Sequence, residues 1–417
     1  MERWISGAGV ALLVTLAWLC SSARRAVRWR PVAWGIALQF IFASVILRTG
    51  PGRRVFEAVN RAVVAVLDCQ YEGARFVFNA LAIPPEQPGS MGFFFAFQVL
   101  TTIVFFSSLV AILYHVGLMQ RIVRAFARAM VRTCGTSGAE TFCAAANVFV
   151  GQTEAPLAIR PFLEQMTQSE LLCVMVSGMA TVAGGVLAAY VAMLRGHLPD
   201  IAGHLLAASV MSAPAALAVA KLLLPETGQP VTAGRMNIEY REPTANVIDA
   251  AATGALAGLR LAANVAAMLI AFMSLLALVN AVLGAAGRWA GAGDVRLESL
   301  AGYVFAPLAW ILGIPPAECL AAGRLLAEKT ILNEFVAYTH FTEMLASDAA
   351  VFSRRTAIIL SYALCGFSNF LSIGVQIGGI GALAPSRRSD LARLGLRAVL
   401  GGTLACALTA AIAGLLL

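Results

Sequence analysis

Residues 151–163 read GQTEAPLAIRPFL: a glycine, three consecutive hydrogen-bonding side chains and two prolines inside an otherwise apolar stretch. Gly151, Pro156 and Pro161 rule out a continuous helix here. Gln152, Thr153 and Glu154 therefore sit at the tip of a broken, hairpin-like segment. The surroundings make this significant. Hydrophobic residues make up 59% of the 417-residue chain and charged residues only 12%, about half the roughly 25% that coats a soluble domain. Mean hydropathy is +0.80. Apolar runs at 4–22, 32–48, 91–116, 169–194, 203–224, 258–284, 355–383 and 398–417 are each close to the ~20 residues that cross ~30 Å of hydrocarbon. The chain is a multi-pass membrane protein with the lipid bilayer as its solvent, and residues 1–23 are read as an uncleaved first helix rather than a secretory signal. Glu154 thus lies at membrane depth, where a central acid costs about 2.5–3.5 kcal/mol and unwound backbone survives only when packed in protein or lining a cavity.

The net charge of +8 comes from arginines beside the spans: Arg24, Arg25, Arg28 and Arg30; Arg121, Arg124, Arg128 and Arg132; Arg387, Arg388, Arg393 and Arg397. Short basic loops mark cytoplasmic faces, so with both termini outside, all three clusters and the 225–257 connection lie inside. No nucleic-acid partner is expected. Residues 48–75 break the pattern and read as an amphipathic helix in the interface, where arginines meet headgroups. The eight cysteines and four histidines form no C-x-x-C or zinc-ligand grouping.

A second broken segment matches the first. Residues 135–163 and 313–345 both open on G-x-x-x-A-E, at Gly135–Glu140 and Gly313–Glu318, and both carry a mid-segment carboxylate, Glu154 and Glu334. Each is followed by a span with a polar interior: SGMATVAGGV at 177–186 and SYALCGFSNFLSIG at 361–374. Interrupted segments at corresponding places in two halves mark the substrate site of secondary transporters. The first unit follows a basic inside cluster and the second an outside loop, so the repeat is inverted. The expected divisions are 1–134 (N-terminal helices, interfacial helix and scaffold), 135–224 (repeat 1), 225–312 (cytoplasmic connection and central scaffold helix) and 313–417 (repeat 2). A plainer role for either glutamate is an ion pair with Arg160 or Lys329 joining two helices, and Ser368, Asn369 and Ser372 alone would read as interhelical glue.

The strings GQTEAPLAIRPFL (151–163), LNEFVAY (332–338) and SYALCGFSNFLSIG (361–374) resemble the signature segments of the concentrative nucleoside transporters, with similarity from about residue 91 to the C-terminus. The resemblance implies an all-α integral membrane fold of about eight transmembrane helices plus two re-entrant hairpins. It also implies a homotrimer in the bacterial inner membrane and a transport domain that moves, elevator-like, against a fixed scaffold. It places the nucleobase at Gln152, Thr153, Glu154 and Val186, and the ribose at Glu334, Asn369 and Ser372 with Phe367 packing nearby. It places a sodium ion at Asn147 and Thr181 and the backbone carbonyls of Val150 and Val182, an all-oxygen set suited to a hard cation. The function implied is nucleoside import driven by a sodium gradient. A proton carried by Glu154 or Glu334 is the alternative coupling ion. An intramembrane enzyme using the same two glutamates lacks a nucleophile–base constellation or metal motif, and a passive channel has no need of two converging hairpins.

Overall fold

The computed structural model describes residues 2–84, 87–234, 244–291, 293, 295–347 and 351–417. It starts with α1 (Glu2–Leu19), α2 (Trp29–Arg48) and α3 (Gly50–Phe78). Thr49 caps α3 by accepting from the Gly52 amide at 3.1 Å, and Pro51 sits in its first turn, where its missing N–H costs nothing. The amphipathic helix expected at 48–75 is therefore present. Asn60 of α3 bonds Pro199 O and the Gly203 amide, each at 3.1 Å.

After α4 (Phe95–Gln98) come α5 (Leu100–His115) and α6 (Leu118–Cys134). The Arg121–Arg132 cluster, read as a basic loop, is helical. Met119, Val123, Ala127, Met130, Val131 and Cys134 recur at helical spacing and are buried, while the arginines take the other faces. A period of 3.6 among residues one-third arginine is easily taken for a charge run.

Repeat 1 opens with α7 (Gly138–Ala146), followed by an irregular stretch, a 3-10 turn at Ala155–Ile159 and the short α8 (Arg160–Leu163). The next span is broken too, into α9 (Gln168–Ala180) and α10 (Gly184–Leu194), and α11 (Ile201–Leu223) closes the unit. Scaffold helix α12 (Val247–Trp289) runs 43 residues unbroken, so the 225–257 connection is shorter than the sequence suggested; residues 235–243 of it lie outside the described part. Helix α13 (Leu297–Ile311) was not anticipated. It is 15 residues long and contains Pro307, which places it below the length and continuity by which spans are recognised. Gly254 and Gly258 let α12 lie directly on α5, since a Cβ at either would come within 2.6–2.8 Å of Ala111, Ser107 or Ile103.

Repeat 2 has the same order. α14 (Pro316–Ile331) and α15 (Glu334–Ala346) meet at a two-residue break, and α16 (Arg354–Leu364) and α17 (Phe370–Leu383) are separated by residues 365–369. The last helix is α18 (Arg388–Leu416). Six of the eight expected spans, counting α4–α5 and α9–α10 as one span each, are long and apolar enough to cross a bilayer; the other two are α1 and the broken α16–α17 pair. The repeated motif glutamates anchor the hairpin bases. Glu140 forms a capping box with Ser137 and pairs with Lys221 of α11 at 2.8 Å, and Glu318 accepts from the Ser353 amide at 3.2 Å, where Ser353 caps α16.

Candidate substrate and cation site

The four helix breaks put their polar side chains together. Asn369 is the N-cap of α17: its Oδ1 accepts from the Ser372 amide at 2.8 Å, which leaves Nδ2 to donate to Glu334 Oε2, also at 2.8 Å. Glu334 stands at the first position of α15, which Asn333 caps by accepting from the Val336 amide at 2.9 Å. A carboxylate there also gains from the helix dipole. The Tyr190 ring of α10 stacks on Tyr338 with centroids 4.0 Å apart, and its hydroxyl is buried without a hydrogen-bond partner. Lys329, the ion-pair partner considered from sequence, donates instead to the Ala363 carbonyl at 2.8 Å. Among the described residues no ion pair within 4 Å joins Glu334 or Glu154 to a cation, so both remain available to a ligand.

The hairpin-1 tip meets repeat 2 through amides. Gln152 Nε2 donates to Ser372 Oγ at 3.2 Å, and Gln152 Oε1 accepts from Gln376 Nε2 at 2.9 Å. Thr153 is half-buried against α17, where a Cβ at Gly379 would come 2.5 Å from its methyl. Glu154 folds back over the turn so that its carboxylate lies in the space beside Gly151. Val186 is buried in the first turn of α10, and Phe367 is half-buried in the α16–α17 break, packed on the core.

Two cavities approach this cluster from opposite ends. One, of about 180 Å³, is lined by Tyr114, Phe149, Gly151, Glu154, Gly185 and Gly254 among others. The other, of about 700 Å³, is lined by Tyr71, Gln98, Arg195, His197, Thr339 and Glu343 among others. The first reaches the C-terminal half of α5 and the N-terminus of α10; the second reaches Gln98 at the end of α4, Val99 just before α5, and Met193 near the end of α10. Hairpin 1 borders one cavity and hairpin 2 the other. Glu334 and Asn369 line neither; they sit between, both at most 4% exposed.

The proposed cation ligands gather where the hairpin-1 break passes the α9–α10 break. Asn147 Nδ2 donates to Ser177 Oγ at 3.1 Å, leaving Asn147 Oδ1 buried with no hydrogen-bond partner. Thr181 Oγ1 donates to the Ser177 carbonyl at 2.8 Å, which orients its lone pairs away from that bond. The Gly184 amide donates to the Phe149 carbonyl at 3.0 Å and ties the two breaks together. A buried amide oxygen without a donor is costly, and a hard cation is the kind of ligand that satisfies it. The donor set therefore fits sodium. Ser177, which orients Asn147, was legible only as part of the polar 177–186 stretch, and two further side chains went unnoticed in the sequence: Tyr190, a buried phenol in an apolar helix, and Gln376, the sole amide in the apolar run of α17. A polar residue at the centre of an apolar helix was the available signal for the last two.

Broken hairpins with ligand-ready carboxylates, placed between cavities at opposite ends of the same helices, define a membrane transporter. The comparisons with known proteins identify which kind. Residues 204–414 match the family described as Na+ dependent nucleoside transporter C-terminus, residues 8–81 its N-terminus, and residues 96–196 the family described as nucleoside recognition. An uncharacterized transporter of Haemophilus influenzae is 46% identical over 98% of this chain and 96% of its own. Solute carrier family 28 member 3 of Mus musculus is 41% identical across the whole chain, which spans 59% of that longer protein. The structure of CNTnw in an inward-facing substrate-bound state superposes with a TM-score of 0.92 at 43% identity, covering 100% of this chain and 98% of the other. The chain belongs to the concentrative nucleoside transporter family, a family of transporters and not of enzymes.

Proposed function

We propose that this transporter is a sodium-driven nucleoside symporter. The observation that carries the proposal is the Glu334–Asn369 pair, buried at the meeting point of two broken helices and bridged through Ser372 and Gln152 to the hairpin-1 tip. A carboxylate accepts from two vicinal hydroxyls at once, which suits Glu334 to the ribose, with Asn369 and Ser372 beside it and Phe367 packing on the sugar. The amide and hydroxyl of Gln152 and Thr153, with Glu154 and the apolar wall at Val186, read the base.

Sodium binds at Asn147, Thr181 and the carbonyls of Val150 and Val182, supported by the orphaned Asn147 oxygen. In joining the hairpin-1 break to the α9–α10 break, the ion orders the Gln152–Glu154 tip before nucleoside arrives, and that order of events is the coupling. A proton on Glu154 or Glu334 is the competing coupling ion. The two cavities suit alternating access, in which the unit carrying both hairpins moves past the scaffold formed around α5 and α12. A homotrimer in the bacterial inner membrane, importing nucleosides, completes the reading. Uptake into proteoliposomes under imposed sodium or proton gradients tests it.

A further inference from the structure

Gln376 lies at the centre of α17, one turn beyond Ser372, and is fully buried. Its Nε2 donates twice, to the Met175 carbonyl of α9 at 3.0 Å and to Gln152 Oε1 at 2.9 Å. A helix carbonyl can only accept and cannot turn, so it fixes which end of the Gln376 amide faces it. The second N–H of that amide then points at Gln152, where only the carbonyl end of the Gln152 amide suits. Gln152 Nε2 is left facing Ser372 Oγ. A primary amide, whose two ends are otherwise of nearly equal size and shape, is thus held in one orientation by a backbone carbonyl two bonds away. The contact depends on Gly178, where a Cβ would stand 2.8 Å from Gln152 Cβ and 2.9 Å from Gln376 Nε2.

An amide held this way offers a ligand one N–H and one oxygen lone pair in a fixed order. Uracil and hypoxanthine present a carbonyl acceptor next to a ring N–H donor. Cytosine and adenine present an amino donor next to a ring nitrogen acceptor. A fixed amide matches one order and opposes the other; an amide free to flip matches both. Resting on the assignment of Gln152 to the base, we infer that Gln376 is a specificity-determining positioning residue. By locking the Gln152 amide it makes the transporter discriminate nucleosides with an acceptor–donor edge (uridine, inosine) from those with a donor–acceptor edge (cytidine, adenosine).

The test is KM and kcat for labelled uridine and cytidine in proteoliposomes at saturating sodium. It compares the unaltered transporter with Gln376→Met, Gln376→Glu, Gln152→Ala and the Gln152→Ala/Gln376→Met double variant. The unaltered protein should show kcat/KM values at least about tenfold apart, since sites built on hydrogen bonds reject the mispaired analogue. Gln376→Met frees the Gln152 amide to flip and should bring the two within about threefold, chiefly through KM. In Gln376→Glu the oxygen that replaces Nε2 cannot donate to both the Met175 carbonyl and Gln152 Oε1, so the lock is lost and the ratio should narrow as it does in Gln376→Met. The double variant should match Gln152→Ala alone. A uridine-to-cytidine ratio near one in the unaltered protein overturns the inference, as does a ratio changed by Gln152→Ala but kept in both Gln376 variants. A ratio indifferent to Gln152→Ala removes the assignment of Gln152 to the base, and the inference with it.

Discussion

The two hairpins share an order of elements and differ in how they break. Hairpin 1 gives up α-helix from Asn147 to Glu154 and recovers it only through a proline-bearing 3-10 turn. Hairpin 2 breaks at Leu332 and Asn333 alone and restarts at once under the Asn333 cap. The longer break frees several carbonyls and an unpartnered amide oxygen, which is what an ion needs. The shorter one fixes a single carboxylate on the first turn of a helix, which is what a pair of hydroxyls needs. In the proposed function the two units then divide the work through the length of their interruptions, an adaptable cation-ordered tip on one side and a rigid anchor on the other.

That contrast can be broken in three places. Glu334→Gln removes the anchor charge while keeping size and the Asn369 contact; hydrogen bonds to a charged group are worth roughly 1.5–3 kcal/mol each, so uridine uptake should fall about 100-fold or more. The variant should still purify as a monodisperse protein, and near-normal uptake would take Glu334 out of the site. Asn147→Ala deletes the orphan oxygen from the adaptable tip. Losing one ligand worth about 1.4 kcal/mol shifts half-saturation tenfold, so the sodium curve should move right by about that factor while the uridine KM at saturating sodium stays within a few-fold. An unmoved sodium curve points to a proton or to another cation site. Asn333→Ala removes the hairpin-2 cap at a cost of about 1 kcal/mol. It should lower the melting temperature slightly and raise the uridine KM modestly, with the sodium curve unmoved; a shifted sodium curve would mean the two hairpins do not divide the work.

Much of this arrangement was legible before any coordinates. Glycine and proline at 151–161 announced the long break, and the matched G-x-x-x-A-E openings pointed to its counterpart. The glutamates of that motif act at the base of each unit: Glu140 pairs with Lys221 of α11 and Glu318 accepts from the Ser353 amide that begins α16. What escaped was decided by tertiary contact. Helix α6 hides its apolar stripe among arginines, and α13 is too short and proline-bearing to stand out. Gln376 acquires meaning only because Gly178 lets α17 and the hairpin tip touch. A lone amide in an apolar helix says that something polar faces it, and the partner comes from elsewhere in the chain.

The most direct measurement is accumulation of labelled uridine in proteoliposomes of the purified protein under an inward sodium gradient, an inward proton gradient, or neither. Accumulation above the external concentration with sodium alone is the predicted result, because the proposed function completes the unpartnered Asn147 oxygen with a metal cation. Accumulation that requires the proton gradient and ignores sodium would contradict the account, since coupling would then reside in a glutamate and the long break of hairpin 1 would have lost its stated purpose.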